Sequence, residues 1–153
     1  QASRYSNVVE LVPVVMCSDS LNPRHVWRWK DLAEREDARN PYVGRFWLWN
    51  SVYCARDVWG AQDEDAYQGP FNKRTANPVL VVGSLHDPAT SYRAASAVSR
   101  LLPNSRLLTS NNWGHTGYGI SACTTAAVDR YLIERRLPTP ATICSDAAQP
   151  YQG

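Results

Sequence analysis

A chain of 153 residues with 44% hydrophobic content is the size of one small domain, and its formal net charge of +2 argues against a nucleic-acid binder. No apolar run approaches the roughly 20 residues of a membrane span, since residues 8–16 are interrupted by Glu10 and Pro13 and residues 79–82 run into a turn. A soluble chain is expected.

The first residues, QASRYSNVVE, carry neither an initiator Met nor the basic-then-apolar layout of a signal peptide, and read as a processed or internal terminus. Residues 8–16 predict a strand or buried apolar segment in which Pro13 argues against a central, fully bonded strand. Residues 27–39 have helical character and mix charges of both signs, as a solvated helix face does. That face is assigned no function, and His25 beside it is read as a surface residue. Residues 46–55 predict a second helix, and residues 57–75, rich in Gly, Pro, Asp and Gln, a long loop. Aromatic rings cluster in HVWRWKDLA and GRFWLWNSVY, where they finish a core edge or line a cleft, packing being the simpler role for any one ring.

From residue 77 the signals sharpen. Pro78 leads into residues 79–82, a β-branched run typical of a strand buried on both faces of a parallel sheet. After the DPAT turn, Ala94, Ala95, Val98, Leu101 and Leu102 fall at helical spacing in residues 91–102, which stop before Pro103. Residues 105–109 predict a second strand. Residues 124–137 predict an amphipathic helix that turns Ala127, Val128, Tyr131 and Leu132 inward and ends before Pro138.

Strand, turn with Asp87, helix, strand, turn with His115, helix is the order of an open parallel sheet whose functional groups project from the carboxyl ends of adjacent strands. The two residues are 28 positions apart, one crossover, so both side chains converge on one sheet edge. A carboxylate held against one imidazole nitrogen fixes the tautomer and leaves the other nitrogen to take a proton from a hydroxyl nucleophile. Gly114, Gly117 and Gly119 permit the tight turn that presents the histidine. The simpler alternative is an Asp87 that only caps the following helix and a His115 at the surface.

The four cysteines, Cys17, Cys54, Cys123 and Cys144, show no C-x-x-C and no Cys/His pairing at metal-ligand spacing, so no metal site is expected. Of the three possible connectivities, Cys17 with Cys54 and Cys123 with Cys144 closes the shorter loops; buried free thiols are the alternative. Bridges would place the protein in an oxidising compartment, and the one spanning 21 positions would contribute about 3 kcal/mol. With no phosphate loop or dinucleotide fingerprint, no cofactor is expected.

The texts PVLVVGSLHDPATSY, SRLLTSNNWGHTGYG and LPTPATIC resemble the carboxyl-terminal region of secreted α/β-hydrolases of the tripeptidyl aminopeptidase (TAP-like) type, relatives of the prolyl iminopeptidases. The resemblance is specific from about residue 77 to residue 144. It is looser in the first half, where VVMCSD and a later Cys look like the family's lid-to-core segment. It implies an α/β fold in which residues 1–76 are a lid-to-core segment and residues 77–153 carry the last parallel strands and helices. It makes Asp87 the triad acid and His115 the triad base. Cys123 and Cys144 match a family pair, and Cys17 and Cys54 look like the other pair. Asp19, in MCSDS, lies where such aminopeptidases place an acid near the substrate's free amino terminus, although a solvated loop residue is the simpler assignment. His86 matches no catalytic position and reads as a structural turn residue.

The family's nucleophile is a serine on a G-x-S-x-G elbow, upstream of the acid and base. Here the nearest text, GISAC, lies after His115 and ends in Cys, while Ser84 in VGSLHD lacks the second glycine. The serine, the oxyanion hole and the earlier strands are therefore expected on a separate amino-terminal chain, the active enzyme being a secreted two-chain complex. Its substrate would be a peptide trimmed from the amino end, or a related amide or ester. The alternative is a non-catalytic binding module or inactive fragment, with the aromatic-rich first half as its contact surface. A partner chain carrying the elbow would decide for the enzyme.

Overall fold

The computed structural model describes residues 7–150. The chain divides into two compact units, Gln1–Gln68 and Gly69–Gly153.

The first unit is helical. Its helix α1, Val8–Asp19, occupies the stretch for which a strand or buried segment is expected. The run is apolar on nearly every side, so neither a two-residue nor a 3.6-residue period shows in it, and Pro13 removes only one bond from a 12-residue ladder. Nor is the stretch buried: Leu11, Val12, Val14, Val15 and Met16 are all exposed, while Cys17 is buried and bonded to Cys54. Helix α2, Arg28–Arg39, turns Trp29 and Ala33, one helical turn apart, inward and its charges outward. The expected helix at 46–55 is a short α3, Gly44–Trp49, followed by a 3-10 turn, Val52–Cys54. Arg45 reaches back from α3 to pair with Asp37 of α2 at 2.6 Å.

The second unit is a three-stranded parallel sheet with helices in its crossovers, an α/β architecture. Strand β1, Val79–His86, is followed by α4, Tyr92–Leu101; β2, Ser105–Trp113, by α5, Ala122–Glu134; a short β3, Ile143–Cys144, completes the order β1-β2-β3. Strands β1 and β2 both run beyond the residues predicted for them, 79–82 and 105–109. The helices start where serines cap them: Ser91 accepts from the Arg93 amide and Ser121 from the Thr124 amide. Helix α5 ends on Arg135 in the left-handed region.

The two faces of the sheet are covered by different helices. Gly83 of β1 is register partner of Thr109 of β2; a side chain at Gly83 would lie 2.9 Å from Tyr92 and Ala95 of α4, and Tyr92 bonds Thr109. The next residues, Ser84 and Ser110, point the opposite way, and there Thr124 of α5 bonds Ser110 at 2.9 Å. The expectation that residues 79–82 are buried on both faces fails at Val82, which is exposed, as is Leu85 further along the strand. The cause is its position: β1 ends the strand order, and a cavity of about 480 Å³ wraps its outer edge between Ala94, Ala95 and Val98 of α4 and Val128 of α5. On α5, Leu132 is 68% exposed, contrary to the inward position expected for it, and the deepest residue is Thr124, at the helix start.

Cys123 is bonded to Cys144, which ties α5 to β3. Among the described residues no helix is long and apolar enough to cross a membrane.

Candidate active site

Asp87 follows β1 directly, and its side chain is only 3% exposed. It accepts hydrogen bonds from the amides of Ala89 (2.8 Å), Thr90 (2.9 Å) and Thr116 (3.3 Å) and from the Thr90 hydroxyl (2.9 Å). Burial pushes its pKa up, but the donors from Thr90, Ala89 and His115 together outweigh it and hold the carboxyl well below the usual carboxylate range. Asp87 thus closes the turn before α4, while the helix cap itself belongs to Ser91.

His115 arrives from the turn after β2. Its Nδ1 lies 3.1 and 3.0 Å from the two Asp87 oxygens. An ionised carboxylate only accepts, so in the neutral ring Nδ1 carries the proton and Nε2 keeps its lone pair. The His115 side chain is 55% exposed, so a buried anion backs an accessible base.

The turn that presents His115 is held from several sides. Gly114 and Gly119 take positive φ, as the tight turn requires, and so does Thr116, at 70°. Gly117 serves differently: any side chain there would sit 2.9–3.1 Å from Ser110 and Thr124, so the turn lies flush on the sheet and on the start of α5. Asn112 and Thr116, joined by a 2.9 Å bond, are the residues the sequence does not single out. The only cue was their proximity to His115 in NNWGHTGYG.

The other candidates have different surroundings. His25 pairs with Asp57 at 3.4 Å in the first unit, but both side chains are over 40% exposed, so no buried carboxylate backs that histidine. His86 ends β1 and stacks on Trp113, its register partner, at 4.0 Å. Asp19 ends α1 in the first unit, exposed, its carbonyl accepting from Gln68. Ser84 is buried in β1, and Ser121 of GISAC is buried with its hydroxyl committed to Asp146 and to the cap of α5. Among the described residues no group of three His, Cys, Asp or Glu side chains could hold a metal ion.

Residues 40–144, more than half of the chain, match the family described as TAP-like protein. The chain is similar to the tripeptidyl aminopeptidases of Streptomyces lividans and Streptomyces coelicolor, 28% identical to each over 141 residues. Those residues are 89% of this chain and 25% of each relative, so the chain spans a quarter of their length. With a parallel α/β sheet, an acid after one strand, a histidine after the next and a family match over both, the chain belongs to the TAP-like α/β-hydrolases.

Proposed function

We propose that these residues supply the acid and base of a Ser-His-Asp triad, Asp87 and His115, and that the serine stands on a G-x-S-x-G elbow outside these 153 residues. The observation that carries the proposal is the bond from His115 Nδ1 to a shielded, multiply bonded Asp87, with the imidazole itself accessible. Two further features support it. The matched relatives are about four times longer than the span this chain covers, and β1 has an outer edge flanked by two helices with no strand against it among the described residues. A parallel strand of the missing part fits that edge.

The chemistry follows from the pair. Nε2 of His115 takes the serine proton as Oγ attacks the substrate carbonyl, and Asp87 stabilises the resulting imidazolium without being protonated. The imidazolium then protonates the departing amine, leaving an acyl-enzyme. Water, deprotonated by the same nitrogen, releases the acid and restores the serine. The relatives' name directs the substrate assignment to peptides with a free amino end from which tripeptides are removed. The two disulfides suit a secreted enzyme.

The test is steady-state hydrolysis of an amino-free tripeptide amide by the complete enzyme. His115→Ala should lower kcat by about a thousandfold or more while leaving KM within a few fold. An unchanged kcat would remove His115 from the mechanism.

A further inference from the structure

We propose that Asn112 is a positioning residue for His115. The proposal rests on the triad assignment above, and its geometric part can be tested separately from it.

Asn112 owes its place to an irregularity in the sheet. Ser84 pairs with Ser110 and His86 with Trp113, so β2 spends two residues, Asn111 and Asn112, where β1 spends one, Leu85. Asn112 is fully buried there. Its Nδ2 donates to the Thr116 carbonyl at 2.9 Å, which fixes the orientation of the carboxamide, because the flipped amide would set two oxygens against each other. Its Oδ1 then has no hydrogen-bond partner among the described residues.

A buried acceptor without a donor is a cost that an apolar residue of the same size would avoid. The return on that cost is the bond to Thr116. Thr116 is β-branched and in the left-handed region, a conformation that persists only where its surroundings impose it. They do so at both ends of the residue: its amide is held by Asp87 and its carbonyl by Asn112. His115 is the preceding residue, so the direction of its imidazole is set by a turn clamped between the acid and a buried amide. Asn112 thus acts through Thr116 to keep Nδ1 on Asp87 and Nε2 toward the substrate side.

Two readouts in the complete enzyme test this. Asn112→Ala removes the donor without adding bulk to the buried site. It should lower kcat about a hundredfold with KM little changed, the scale of a displaced catalytic group. It should also speed hydrogen exchange at the Thr116 amide, leaving the amides of α4 and β1 as protected as before. A kcat within twofold of wild type, in a folded variant with unchanged exchange at Thr116, would overturn the proposal. A second measurement needs no variant: in the wild-type protein the Asn112 carboxamide protons should exchange slowly, and exchange at the solvent rate would equally overturn it. If the wild-type enzyme cleaves no peptide, the triad assignment fails while the exchange data still decide whether Asn112 holds the turn.

Discussion

Asp87 receives five donor groups, and they define what its replacement would do. Asp87→Asn puts an amide group where an acceptor is needed, so at least one donor loses its partner and Nδ1 of His115 no longer faces an anion. The expected result is a fall in kcat of about 10⁴, as a wrongly set tautomer produces in a triad. His25→Ala is the matching control: its pairing with Asp57 is exposed and no buried carboxylate backs it, and the rate should stay within about twofold of wild type in the same assay. Asp87 and His115 were legible because each follows a strand signal and sits in a turn text. Asn112 was not, because its burial depends on a bulge that two consecutive asparagines do not announce and that exists only once β2 is paired with β1.

At the scale of elements, the start of α5 carries more of the site than its sequence suggests. Ser121 caps the helix and donates to Asp146; Asp146 also accepts from the Cys123 amide; and Cys123 is bonded to Cys144 two residues before Asp146. The hydrogen bond from Ser121 and then that from Cys123 lower the pKa of Asp146. The histidine turn rests on this assembly through Gly117, so loosening it should reach His115. Replacing both Cys123 and Cys144 with Ala should cost about 2–5 kcal/mol in denaturant unfolding and should lower kcat as well. A stability loss with kcat intact would separate α5 from the site. Gly117→Ala should destabilise by about 1–3 kcal/mol, because its new methyl meets Ser110 and Thr124 at 2.9–3.1 Å. Strands β1 and β2 and helices α4 and α5 were readable because Pro, Gly and Ser mark their ends, whereas the two-residue β3 carries no such signal. Helix α1 was not, since an apolar run without periodicity supports a strand and a helix equally.

At the scale of the molecule, two depressed carboxylates set the acid limit. Asp87 and Asp146 both bind protons more weakly folded than unfolded. Their stabilisation is therefore fully present above the unfolded carboxylate pKa of about 3.9 and is lost as the pH falls below it toward the depressed native values. Thermal midpoints should hold steady near neutrality and fall below about pH 4, and Asp146→Asn should flatten that fall. The α/β class was legible from the alternation of strand and helix signals. The edge of β1 that is open among the described residues was not, because β-branched text predicts burial whether or not the covering strand lies within these residues. That edge and the His115–Asp87 pair lead to one central claim, a triad completed by a serine outside these 153 residues, and fluorophosphonate labelling of the native protein followed by mapping of the labelled residue tests it most directly. The account predicts a label on a serine that lies outside these 153 residues and that is lost in His115→Ala. A native protein that takes no label, or a label indifferent to His115→Ala, would contradict it.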